Sequence, residues 1–169
     1  KNSIVMGPFS HGGWSYEMGK HFHNEVYFGD SIATFYQKNI ETPFFNHHLK
    51  NTKSAINLPE AYMFDTGKKE WKQFAEWPPK NAQKTAFYLR ENGQFSTESP
   101  SSASFTEYFS DPNKPVPSST NLKEFNGFTP RNYMSEDQRF AENRPDVASF
   151  TTEIIAEDLT FAGEIEENL

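Results

Sequence analysis

Histidine is the side chain best suited to moving a proton near neutral pH, and this chain places one where a strand pattern ends. Ile4-Val5-Met6 is a short apolar run, Gly7-Pro8 stops it, and His11 follows between Ser10 and the pair Gly12-Gly13. Open α/β sheets carry their reactive groups on loops at strand ends. The glycines let the backbone pass close to a ligand or a neighbouring loop. Two readings stand from the local pattern: a proton-transferring imidazole, or a surface-loop histidine without a partner. A serine nucleophile on a sharp elbow would read G-x-S-x-G, and that motif does not occur in the sequence. Ser10 adjoins His11, but neighbouring side chains on extended backbone point apart. It reads as a loop serine rather than a nucleophile.

Other groups offer weaker chemistry. His21 and His23 would share a face of a strand, and His47-His48 is a second pair, so metal binding is one reading of each. No third ligand follows from the spacing, and no metal is expected. Asp65-Thr66-Gly67 has the triplet form of an aspartic protease, which needs two aspartates sharing a proton. No second triplet occurs in the sequence, and the plainer reading is a turn entered by Asp and relieved by Gly. Trp71, Phe74, Trp77 and Pro78-Pro79 form either a stacking platform for sugar or peptide, or a strand packed on a neighbouring domain; the packing role is preferred. Asp137, Arg139, Arg144 and Asp146 read as guanidinium–carboxylate pairs that pin a long connection onto the sheet.

The elements that must position these residues follow from periodicity. Ser3 to Met6 predicts a buried strand, Ser10 to Gly19 a glycine-rich loop, and His21 to Phe28 an extended stretch. Asp30 or Ser31 caps a helix whose apolar residues Ile32, Phe35, Tyr36, Ile40 and Phe44 recur at helical spacing. Pro43 predicts a kink or break near Thr42, and the helix should end near Lys50. Beyond Asn51 the pattern turns to β. Strands are predicted over Ala61 to Phe64, Glu70 to Trp77, Lys84 to Arg90, Gln94 to Thr97, Ser104 to Ser110, Asp146 to Thr152 and Leu159 to Ile165. Asn92-Gly93 marks a hairpin, and Asn113 to Arg131 an irregular excursion. The fold class is mixed and mainly β. Short strands between Pro, Gly and Asn turns suggest a sandwich or jelly roll, and the strand count falls short of the roughly eight a jelly roll needs.

Composition narrows the partners. The 169 residues carry a net charge of −7 and no cysteine, which disfavours phosphate-backbone binding and removes disulfides and thiolate metal sites. The acidic run Glu164 to Glu167 reads as a solvated end. No apolar stretch nears the roughly 20 residues of a membrane span, and the start of the chain lacks the form of a signal peptide. Neither nucleic acid nor membrane is an expected partner. Mean hydropathy is low, −0.80, yet aromatics reach 16% with 17 Phe. Disordered chains are poor in aromatics, so this one should fold, with part of its core supplied from elsewhere.

The segment IVMGPFSHGGW, Ile4 to Trp14, resembles the catalytic-histidine segment of the cocaine esterase, α-amino acid ester hydrolase and glutaryl-7-aminocephalosporanic acid acylase family, related to X-Pro dipeptidyl peptidases. The resemblance continues through FGDSIATFYQKNIETPFFNHHLKN (Phe28 to Asn51) and MFDTGKKEWKQFAEWPP (Met63 to Pro79). It is sharpest in YMSEDQRFAENRPDVASFTTEIIAEDLTFAG (Tyr133 to Gly163). It implies that residues 1–50 are the C-terminal end of an α/β-hydrolase domain (strand, His loop, helix). Residues 51–169 would then be the first part of a C-terminal jelly-roll β domain, truncated. It further implies a serine hydrolase of small acyl esters or amides, without cofactor, in which His11 is the general base and both triad partners precede Lys1. The fragment alone should be inactive. Its partners would be a small acyl substrate, the remainder of the hydrolase chain and, through exposed sheet edges, a second copy of itself. A bacterial source, with a periplasmic or secreted location ahead of a cytoplasmic one, is also implied. The alternative is a non-catalytic β-sandwich that binds carbohydrate or peptide, for which the hydrolase-like residues 1–50 have no use.

Overall fold

The apolar triplet expected as a strand is one. A computed structural model describes residues 2–23, 25–50, 56–120 and 136–168, and in it β1 (Ile4–Met6) runs parallel to β4 (Ala61–Asp65). β5 (Glu70–Phe74) then pairs antiparallel with β4, giving the sheet order β1-β4-β5. Between β1 and β4 the chain forms the one-turn helix α1 (Gly13–Tyr16) inside the expected glycine loop, then a hairpin of β2 (Lys20–His23) and β3 (Val26–Asp30). The stretch expected to be extended is therefore two strands, with a register shift between His21 and Phe22.

The helical region begins and ends as its periodicity predicts, but the capping and the kink differ. Ser31 makes no side-chain cap; it takes φ 57° and ψ 29°, and its carbonyl accepts from Phe35 N at 2.8 Å. That left-handed residue turns the chain out of β3 and into α2 (Ile32–Tyr36). Pro43 does not break the helix. Proline lacks the N–H that the Asn39 carbonyl would accept, and its ring crowds that carbonyl. The backbone widens into a π turn over Gln37–Glu41 and resumes as α3 (Thr42–Leu49) with Pro43 in its first turn.

Ile32, Ala33, Ile40, Ala61, Tyr62 and Met63 are buried. Over them lies an aromatic cluster centred on Trp71. Phe35 stacks on the Trp71 ring at 5.6 Å and 16°, Tyr62 and Phe64 meet it edge-on at 5.7 Å and 5.4 Å, and Phe9 sits 6.2 Å away. The residues in excess in the composition thus do the work that aliphatic residues do in most cores.

The chain divides by packing into two units, Lys1–Asn81 with Gly163–Leu169, and Ala82–Ala162. The domain boundary expected at residue 50 adjoins residues 51–55, which lie outside the described residues. In the second unit β6 (Tyr88–Arg90) and β7 (Gln94–Ser96) form the expected hairpin. Asn92 and Gly93 both take positive φ, 59° and 71°, as that dipeptide is suited to do. A Cβ on Gly93 would lie 2.8 Å from the Ser149 carbonyl oxygen, so glycine is needed for approach as well as for the turn.

Three expected strands are not strands. Ser104 to Ser110, Asp146 to Thr152 and Leu159 to Ile165 are extended or irregular, apart from one bridge between Gln94 and Thr151. Alternating apolar residues predict a face to bury, but a ladder also requires a neighbour for its N–H and C=O groups. Among the described residues these segments have almost none. Their apolar side chains stay out: Phe105 is 85% exposed, Phe109 79% and Phe161 71%, and Ile154, between the last two segments, is 97% exposed. Residues 113–120 are irregular, as expected for the excursion; residues 121–131 lie outside the described residues. The described residues are mainly β, with few helices. No helix among them is long and apolar enough to cross a membrane.

Candidate catalytic histidine loop

His11 lies on the turn that follows β1, with its side chain exposed, and the backbone around it is fixed residue by residue. Gly7 comes first. A Cβ there would stand 2.4 Å from the Phe9 ring, so only glycine lets that ring fold back into the core against Tyr36 at 5.7 Å. The Pro8 carbonyl accepts from two imidazoles, His21 Nε2 and His23 Nε2, the latter at 2.6 Å. These two rings meet edge to face at 5.0 Å and are buried, 1% and 5% exposed. Both therefore use Nε2 to hold backbone. Phe22, between them, is turned outward and half exposed.

Ser10 follows. It is 2% exposed, and its hydroxyl donates to Glu17 Oε1. The other Glu17 oxygen stands 3.4 Å from His21 Nδ1. Tyr16 donates its hydroxyl to the His11 carbonyl at 2.8 Å. Gly12, at φ 75°, turns the chain, and Gly13 N donates to the Ser10 carbonyl at 2.8 Å. A Cβ on Gly13 would lie 2.1 Å from the Glu17 carboxylate, so the second glycine makes room for that acid. Gln37 closes the far side by donating to the Trp14 carbonyl at 2.7 Å. Hydrogen bonds thus hold the backbone on both sides of His11, whose side chain is exposed.

The loop can therefore present an imidazole at a fixed place on the C-terminal side of a parallel strand. Ser10, expected to be no nucleophile, points inward to Glu17, away from solvent. Sequence reasoning missed Glu17, Tyr16, His21 and His23 as members of this site. Only the spacing His21-x-His23 signalled that two imidazoles share a face, and that signal was read as a metal question.

The remaining constellations have structural roles. Asp65 ends β4 and accepts from Lys68 N at 2.8 Å and from the Lys72 ammonium. These two donors hold its carboxyl below the usual range, whereas an aspartic-protease pair shares a proton. The left-handed residue of this turn is Lys69, at φ 58°, rather than Gly67. Trp71 is ringed by Phe9, Phe35, Tyr62 and Phe64, so its faces are used in packing. The Asp137–Arg139 and Arg144–Asp146 pairs are local. Asp137 caps the 3-10 turn Gln138–Ala141 by accepting from Arg139 N at 3.0 Å. Arg144 grips Asp146 through Nε at 2.8 Å and through its terminal nitrogen at 2.6 Å. Among the described residues the pinning expected of these arginines reaches no strand, and its longest reach is Arg144 to the Lys114 carbonyl at 3.4 Å.

The chain is similar to a family of C-terminal domains and to parts of an esterase, an ester hydrolase and an aminopeptidase. Residues 54–169 match the family described as the X-Pro dipeptidyl-peptidase C-terminal non-catalytic domain, and His11 precedes that stretch. Over 177 aligned residues the chain is 27% identical to cocaine esterase of Rhodococcus sp. (strain MB1 Bresler), covering 98% of this chain and 30% of that protein. An aminopeptidase from a marine sediment archaeon, Thaumarchaeota archaeon, superposes with a TM-score of 0.76 at 27% identity, over 90% of this chain and 25% of that one. A selenomethionine-labelled α-amino acid ester hydrolase superposes with a TM-score of 0.74 at 29% identity, over 96% of this chain and 27% of that one. The chain thus spans about 30% of the length of the curated relative it matches.

Proposed function

The chain belongs to the X-Pro dipeptidyl-peptidase C-terminal domain family, and from that premise we propose that it is part of a serine hydrolase of small acyl esters or amides in which His11 is the general base. The nucleophilic serine and the orienting acid come from the sequence preceding Lys1. Residues 1–50 lie at the end of the α/β-hydrolase domain, β4 and β5 extend the sheet that β1 belongs to, and the rest of residues 51–169 contributes to a jelly-roll β domain.

The observation that carries this reading is the loop itself. An exposed imidazole stands at the C-terminal end of a parallel strand, on a backbone clamped from Pro8 to Trp14. β1 adds support. Sheets built of parallel strands are covered on both faces; β1 is parallel to β4, yet Ile4 and Met6 are 42% and 60% exposed and β1 has one neighbour among the described residues. Further hydrolase strands would complete that sheet. In the reaction His11 takes the serine proton as the oxygen attacks the acyl carbon. It then passes that proton to the departing alcohol or amine, leaving an acyl-serine. Water, deprotonated by the same imidazole, releases the acid and restores the serine.

A fluorophosphonate probe tests this by reacting with an activated serine. The full-length protein should be labelled, its His11→Ala variant should lose at least about a hundredfold in labelling rate, and the 169-residue chain should not react. Undiminished labelling of His11→Ala would remove His11 from the mechanism. Labelling of the short chain would place the nucleophile within it.

A further inference from the structure

We infer that Ser10, Glu17, Tyr16 and His21 form a positioning network for His11, an assignment that rests on His11 being the base. The network is a closed circuit. It leaves the loop at Ser10, passes through the Ser10 hydroxyl to Glu17 Oε1, crosses that carboxylate to His21 Nδ1 at 3.4 Å, and returns from His21 Nε2 to the Pro8 carbonyl. Pro8 and Ser10 bracket Phe9, whose ring is sunk between His21 at 5.9 Å and Trp71 at 6.2 Å. The circuit therefore fixes the two peptides that lead into His11. Tyr16, one residue before Glu17, fixes the peptide that leads out by donating to the His11 carbonyl at 2.8 Å. α1 supplies the phenol and its C-cap residue the acid, so one turn of helix and its cap set the backbone on both sides of the imidazole.

The chemistry of the circuit favours positioning over simple core filling. A carboxylate at 12% exposure facing an imidazole at 1% is costly to bury, and apolar residues of similar volume often stabilise as well or better. Both His21 nitrogens face oxygen acceptors, and Glu17 Oε1 already receives the Ser10 hydroxyl. The circuit thus has directional bonds at both ends, Ser10 to Glu17 and His21 to the Pro8 carbonyl, joined by the 3.4 Å contact between the Glu17 carboxylate and His21 Nδ1. Directional bonds fix a backbone to fractions of an ångström, and a general base loses rate steeply when it is displaced by that much. Gly13 has the same logic, since a side chain there would occupy the space of the Glu17 carboxylate.

The full-length protein, titrated with the fluorophosphonate probe, separates a maximal labelling rate from a half-saturating concentration, with thermal midpoints measured alongside. Ser10→Ala and Glu17→Gln should lower the maximal rate about tenfold while the half-saturating concentration stays within about twofold. Ser10→Thr, which keeps the hydroxyl, should recover most of the rate. Tyr16→Phe should lower it about threefold. Tyr16 is 47% exposed, so this variant folds even if Glu17→Gln does not. Rates within twofold of the parent for folded Ser10→Ala and Tyr16→Phe would overturn the assignment, as would a Ser10→Thr variant no better than Ser10→Ala. Those outcomes, together with loss of labelling in His11→Ala, would leave the general base in place and remove only its positioning network.

Discussion

At the scale of single residues, the chain uses charge to hold backbone rather than to bind across surfaces. Asp137 is the sharpest case. The Arg139 guanidinium and the Arg139 N–H hold its carboxyl down, to about 2. A depressed folded value means that the interaction stabilises above the unfolded carboxyl range near 3.8 and is lost as pH falls through about 2. The 3-10 turn Gln138–Ala141 should therefore keep its cap down to strongly acidic pH. Carboxyl-selective NMR titration of Asp137 should show a midpoint near 2, moving upward in Arg139→Gln. An unchanged midpoint in that variant would show that the guanidinium does not set it. Nothing of this sort was needed to find His11. That residue was legible because glycine and proline flank an imidazole after an apolar run. Its supports were not, because Ser10, Tyr16, Glu17 and His21 acquire their roles only when α1 and β2 fold back beneath the loop.

At the scale of elements, local patterns read well where the partner is close in sequence. β1, β4, the Asn92-Gly93 hairpin and the ends of the helical region all follow from periodicity and turn chemistry. The helix continues past Pro43 because a π turn can absorb a missing donor, a compromise that periodicity does not encode. The parallel pairing of β1 with β4 joins residues 57 positions apart in register, beyond what any local window holds. The Trp71 cluster ties these elements together, since its rings come from the His loop, α2, β4 and β5. Trp71→Ala should therefore cost about 3 kcal/mol, at the low end for a tryptophan because the ring is only partly covered. Trp71→Phe should cost less than half of that. Chemical denaturation of the full-length protein would measure both, and a cost under about 1 kcal/mol for Trp71→Ala would mean that the sheet does not depend on this cluster.

At the scale of the whole molecule, the apolar content is distributed in a way that a self-sufficient fold avoids. In the second unit Phe105, Phe109, Ile154 and Phe161 are between 71% and 97% exposed, and all but Ile154 lie in segments predicted to be strands and found without ladders. Scattered exposed apolar residues are ordinary, but several large ones on the extended segments of one unit mark a surface to be covered. The sequence announced that surface through its alternation; it could not announce the cover, because the required neighbours are not encoded in the same local stretch. Under the function proposed above, the cover is the rest of the hydrolase, of whose curated relative this chain spans 30%. The 169-residue chain in isolation should then bind an apolar dye such as ANS several-fold more strongly per mole than the full-length protein. Replacing Phe105, Phe109 and Ile154 together by Ser should remove most of the excess in the short chain. In the full-length protein the same triple replacement should lower the thermal midpoint, because there it would place hydroxyls in a buried sheet face. Equal dye binding by the two proteins would mean that these segments stay exposed in the complete enzyme, and the β domain would then have to be completed on some other face.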